Sequence, residues 1–185
     1  MRPSTVTSYI HPGGEIGVLV EVSCESELVT NSDGFQEFVH DMAMQIAASD
    51  PKFIRTEHVS RKVLDQERER YRLEAAATGK PGPVVAKIVE GKVHKYYEEV
   101  CLYQQPFIKD RSISISQLIA SRVAELGEEI RVRRFARIKV GESDLTTASD
   151  SDPGPEDREE TGVTVNRPGA PKGGIGFAVA EPDAK

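Results

Sequence analysis

The sequence predicts an α+β fold, an antiparallel sheet covered on one face by helices. Three observations carry that reading. Strand-like runs rich in β-branched residues stand early, at residues 5–10 and 17–24. A third stands late, at residues 130–140. Four stretches with apolar residues at helical spacing lie between them.

The first two runs flank His11-Pro12-Gly13-Gly14-Glu15-Ile16, a turn signal that joins them as a hairpin with a longer loop. Within the second, Val18, Val20, Val22 and Cys24 share one face, and Leu19, Glu21 and Ser23 the other. Asn31 or Ser32 caps the first helix, whose Phe35, Phe38, Val39, Met42 and Ile46 form a stripe ended by Asp50-Pro51. Ser60 opens a charged second helix over residues 61–78, stopped by Gly79-Lys80-Pro81-Gly82. A third helix covers about 83–103, with Val85, Ile88, Val89, Val93, Tyr96, Tyr97 and Val100 on one side. A fourth starts near Ser114 and runs to Leu126, where Gly127 breaks it. In the last strand, strict alternation puts Ile130, Val132, Ala136, Ile138 and Val140 on one face with Arg134. Arg131, Arg133, Phe135, Arg137 and Lys139 then share the other.

Charge divides the 185 residues in two. Residues 1–141 hold 20 Lys/Arg and 20 Asp/Glu, whereas residues 142–185 hold 10 acids against 4 bases and account for the whole net charge of −6. Those 44 residues also contain 5 of the 11 prolines and 6 of the 15 glycines, too little apolar surface to offset chain entropy. Residues 1–141 are therefore expected to be the folded domain and 142–185 a disordered, acidic, Pro/Gly-rich tail. Its end, Gly173-Gly174-Ile175-Gly176-Phe177-Ala178-Val179-Ala180, is apolar enough to dock. A neutral folded unit argues against a globally basic nucleic-acid binder. No apolar run approaches a membrane span, and the N-terminus lacks the apolar stretch of a secretory signal.

Catalytic and cofactor motifs fail on spacing. Gly79-Lys80-Pro81 and Gly91-Lys92-Val93 lack the rest of a phosphate-cradling loop. Gly13-Gly14-Glu15-Ile16-Gly17 precedes a strand instead of opening a helix. His11, His40, His58 and His94 fall in four different elements, and Cys24 and Cys101 form no zinc pattern, so neither metal nor cofactor is expected. The cations and Phe135 of the last strand suit phosphate contact and stacking with RNA, or an exposed sheet face that meets protein. The neutral fold favours the latter.

The run Ile16-Gly17-Val18-Leu19-Val20-Glu21-Val22, followed by Cys24-Glu25-Ser26-Glu27-Leu28-Val29, resembles the core of the elongation factor Ts family. Further blocks follow in family order: Ala43-Met44-Gln45-Ile46-Ala47-Ala48 before Pro51, Gly79-Lys80-Pro81, and Lys87-Ile88-Val89-Glu90-Gly91-Lys92. Gln105-Pro106-Phe107-Ile108-Lys109-Asp110, Arg133-Arg134-Phe135 and Val140-Gly141-Glu142 complete the set. The resemblance covers about residues 8–142.

It implies a guanine-nucleotide exchange factor, not an enzyme, that binds elongation factor Tu with GDP or without nucleotide. Binding would displace Mg2+ and release GDP. The family inserts a Thr-Asp-Phe-Val turn beside the nucleotide; here the corresponding residues are Ser26, Glu27, Leu28 and Val29. The resemblance also implies a homodimer through the sheet, with Arg131, Arg133, Phe135 and Arg137 as the candidate surface. The expected setting is a bacterial cytoplasm or an organelle of bacterial descent. Because the chain opens close to its first strand, it is expected to be a short form without the family's N-terminal helical module, whether as a fragment or a reduced paralogue. The alternative reading is a degenerate, non-exchanging module that binds elongation factor Tu or another translation component.

Overall fold

The computed structural model describes residues 2–142 and 145–150. Elements are numbered in chain order. β1 (Ser4–Ile10) and β2 (Ile16–Ser23) form the expected hairpin, Ser4 opposite Ser23 and Ile10 opposite Gly17. His11 donates its amide to the Ile16 carbonyl at 2.9 Å, and Gly13 and Gly14 take φ of 101° and 75°, which a side chain would resist. β3 (Arg131–Lys139) lies against β2, and β4 (Thr146–Ser149) against β3, so the antiparallel sheet runs β1-β2-β3-β4.

One short element was not expected: α1 (Glu27–Thr30), a single turn between β2 and the first long helix. α2 (Asp33–Ser49) begins at Ser32, whose hydroxyl accepts from the Phe35 amide, and ends at Asp50 in the left-handed region. Its stripe of Phe35, Phe38, Val39, Met42 and Ile46 is fully buried against Val18, Val20 and Val22, so the inner face of β2 and this helix make the core. α3 (Arg61–Ala76), capped by Ser60, and α4 (Gly82–Val100) pack chiefly on each other. Only Ala75 of α3 and Val89 and Val93 of α4 are buried, while ion pairs such as Arg72–Glu69 and Lys92–Glu74 lace the hairpin.

α4 stops three residues before the expected 103. The amides of Lys52 and Phe53 take the Val100 carbonyl, and the Leu102 amide bonds back to Phe53, pulling the chain out of the helix. α5 (Ile115–Leu126) carries a full capping box of Ser114 and Gln117 and ends on Gly127 with φ 73°.

Two expectations about the late part of the chain are corrected. Residues 146–149, assigned by composition to the tail, form β4, and the folded unit extends past 141 to Asp150. Asp150 donates its amide to the Arg133 carbonyl at 2.7 Å and pairs with Arg55 at 2.8 Å. Backbone pairing to an edge strand needs little apolar content, so composition gave no sign of it. The remaining tail residues 151–185, including the apolar 173–180 segment, lie outside the described residues.

The second correction concerns the two faces of β3. Glu21 pairs with Arg134 but Val22 pairs with Val132, leaving Arg133 as an extra residue in a β-bulge. The bulge reverses the alternation. Val132, Phe135 and Arg137 therefore face the core, while Ile138 and Val140 are exposed. Arg137 is only 4% exposed; its guanidinium meets Asp50 at 3.3 Å, Glu142 at 3.1 Å and the Ala47 carbonyl at 3.4 Å.

Candidate functional site

Residues 26–29 leave the inner edge of β2 and become α1. Ser26 is extended (φ −129°, ψ 155°), and its hydroxyl accepts from the Val29 amide at 3.4 Å, which caps the turn. The far end is tied as firmly. The Glu27 carbonyl accepts from the Thr30 hydroxyl at 2.8 Å and the Asn31 side-chain amide at 2.9 Å. Ser32 donates to the Val29 carbonyl at 2.8 Å, and Gln36 donates to the Thr30 carbonyl at 2.6 Å.

Val29 packs against the core from its rim, and Thr30 is buried. Leu28 does the opposite: it is 86% exposed, with Glu27 exposed beside it. The Leu28 side chain therefore contributes nothing to the core beneath α2. The turn offers one apolar knob and one carboxylate on a fixed base.

A residue that sequence reasoning did not single out sits under this turn. Glu128, just after Gly127, accepts from the Ser26 hydroxyl at 2.5 Å through Oε1. Through Oε2 it accepts from the amides of Ser26 at 2.9 Å and Glu25 at 3.2 Å. These bonds, the Ser26 hydroxyl first, hold the Glu128 carboxyl below the usual carboxylate range. Nearby, burial pushes the Cys24 thiol up, and the thiol donates to the Ser26 carbonyl at 3.0 Å. Glu128 lies about a hundred residues from Ser26 in the sequence, so local spacing carried no signal of the pairing.

The second candidate surface is not assembled as expected. Arg131 is paired to Glu129 at 2.5 Å and Arg133 approaches Asp150 at 3.8 Å, both half-exposed, but Phe135 is 3% exposed and Arg137 is buried. The bulge at Arg133 separates the four. The face that is open lies on the other side of the sheet from α2. It presents Val6 at 62%, Leu19 at 53% and Ile138 at 63% exposure, flanked by Ala136 and Thr147. A shallow groove of about 440 Å³ runs there, with the Glu21–Arg134 ion pair (2.6 Å) at its edge. The alternation of β1, with Val6 and Ile10 opposite in parity to Tyr9, was the signal available for this face.

Among the described residues no group of three or more His, Cys, Asp or Glu side chains is placed to hold a metal ion, and no helix is long and apolar enough to cross a membrane. The histidines are dispersed: His11 and His40 both meet Tyr9, whereas His94 pairs with Glu98 at 3.3 Å.

Comparison with known proteins gives a consistent result. The sequence model of a family described as Elongation factor TS matches residues 2–142. Elongation factor Ts of Koribacter versatilis is 59% identical over 144 residues, 78% of this chain and 66% of that protein. Elongation factor Ts of Solibacter usitatus is 47% identical over 155 residues (84% and 73%), and that of Carboxydothermus hydrogenoformans 48% over 137 residues (74% and 63%). The chain thus spans about two thirds of the length of these curated relatives. On the family match across the hairpin, the helices and the last core strand, the chain belongs to the elongation factor Ts family.

Proposed function

We propose that this chain is a guanine-nucleotide exchange factor that binds elongation factor Tu carrying GDP and promotes GDP release by displacing Mg2+. It acts by binding and makes or breaks no covalent bond. The observation that carries this reading is the turn at residues 26–29, clamped at both ends while Leu28 stands 86% exposed at its tip.

An exposed leucine on a fixed backbone suits insertion into a partner. Burying it contributes about 1.5–3 kcal/mol, and the turn has already met its ordering cost. Glu27 brings a carboxylate beside it, the ligand type that contends with phosphate oxygens for a hard cation. A wedge that binds the nucleotide-free partner better than the GDP form must lower nucleotide affinity by the same coupling free energy. Relative to the family's Thr-Asp-Phe-Val turn, Leu28 lacks a ring and Glu27 reaches one methylene further, so the wedge is narrower and longer.

The test is release of fluorescent GDP from elongation factor Tu, with and without this chain. Leu28→Ala should slow release with the melting curve unchanged, and Glu27→Asp with Leu28→Phe should speed it. If the parent and that double variant bind the GTPase yet leave release at the spontaneous rate, the chain is a non-exchanging interaction module. We further propose that it works as a homodimer in a bacterial cytoplasm. The open sheet face of Val6, Leu19 and Ile138, with the Arg131 and Arg133 edge beside it, would meet a second copy; it takes the place of Phe135 and Arg137 in that role.

A further inference from the structure

We infer that Glu128 is a positioning residue for the exchange turn, holding residues 25–29 in the shape that presents Leu28 before any partner arrives. The inference rests on the exchange reading above and adds a residue to it. Glu128 and the turn come from opposite ends of the folded unit, and the carboxylate joins them by three hydrogen bonds. Two fix backbone amides at the point where β2 gives way to α1, which sets the direction of the turn. The third engages the hydroxyl that also accepts from the Val29 amide, so a chain of bonds runs from Glu128 through Ser26 into α1. Donation to a carboxylate makes that oxygen a better acceptor. Leu28 makes no core contact of its own; the far end of the turn is held by Thr30, Asn31, Ser32 and Gln36, and Glu128 holds the near end. Gly127, left-handed at the end of α5, turns the chain so that Glu128 points at the turn.

The role has a kinetic signature. Removing a clamp lowers the fraction of molecules with the turn already formed, and the apparent affinity for a partner falls by that fraction. The bound geometry, once reached, is the same. Glu128→Ala should therefore raise the chain concentration that half-saturates GDP release from elongation factor Tu by about 3–10-fold, with the rate at saturation within about twofold of the parent. In the free protein, amide hydrogen exchange at Ser26 and Val29 should accelerate about tenfold or more, while Phe38 and Met42 in the core keep their protection. Glu128→Gln, which keeps one carbonyl oxygen, should fall between parent and alanine.

Ser26→Ala combined with Glu128→Ala should cost less than the sum of the two single effects, since the bond between the Ser26 hydroxyl and Glu128 is lost in both. Should Glu128→Ala fold poorly, the glutamine variant and Ser26→Ala carry the test. Unchanged exchange at Ser26 and Val29 would overturn the clamp. A fall in the saturated rate with half-saturation unchanged would also overturn it, because Glu128 would then act on the partner. If the parent chain itself releases no GDP, the exchange reading is lost and the positioning role with it, while amide exchange still reports whether the clamp exists.

Discussion

Cys101 shows how one buried side chain links fold to solution conditions. It sits where α4 is pulled out of its helix toward Phe53, fully enclosed, and burial pushes its thiol up to about 12. An unfolded thiol titrates at about 8.5, so the unfolded chain releases this proton first as pH rises. The stabilising preference for the neutral thiol is complete below that value and is lost as pH climbs toward about 12. The melting temperature of the parent should fall more steeply above pH 9 than that of Cys101→Ala, measured side by side. Cys101→Ala will itself be less stable at pH 7, by roughly 1–3 kcal/mol for the atoms removed from a closed site. Parallel slopes in the two chains would show that the thiol does not carry the dependence.

At the scale of elements, the bulge in β3 decides which residues the sheet buries. Deleting Ala136 would shift every later residue of β3 by one position and swing Arg137 away from the core, or else slip the pairing with β2. Deleting the bulged Arg133 joins Val132 to Arg134 in a regular ladder and leaves Phe135 and Arg137 facing the core. The Ala136 deletion is expected to cost more than about 4 kcal/mol in urea unfolding, and the Arg133 deletion less than about 2 kcal/mol. Arg133→Ala keeps the backbone and gives up only a 3.8 Å ion pair, so it should cost less than about 1 kcal/mol. Equal effects of the two deletions would contradict the bulge. β4 makes a parallel case. Truncation after Glu142 removes the strand beside Phe135 and the Arg55–Asp150 pair and should lower stability by about 1–3 kcal/mol. Truncation after Asp150 should leave thermal unfolding where it is.

Among the described residues, one face of the sheet is sealed by α2 and the other carries neighbouring apolar side chains, Val6, Leu19 and Ile138, around a shallow groove. Contiguous exposed apolar surface on a sheet is a common site of protein contact. If a second copy covers it, Leu19→Glu should shift sedimentation toward the monomer without lowering the melting temperature of dilute protein. The parent sedimenting as a monomer at tens of micromolar would remove the dimer, an interface of standard size being stable well below that. The turn proposed for exchange follows β2 and Leu19 lies within β2, so on that proposal the same variant should retain GDP release if the two surfaces act independently.

Local sequence was enough for the hairpin, the four long helices, the Ser60 cap and the core stripe of α2, while the choice of Ser32 over Asn31 as the cap of α2 came with the structure. The local features depend on neighbours within a few residues: apolar period, capping hydroxyl, breaking glycine. The exposure of Leu28, the bulge at Arg133, the recruitment of residues 146–149 as β4 and the clamp from Glu128 were decided only by tertiary structure. Each depends on a partner far along the chain: Val22 facing Val132, Arg133 receiving Asp150, Ser26 meeting Glu128. A one-residue register change reverses which side chains are buried, and nothing in local composition records it.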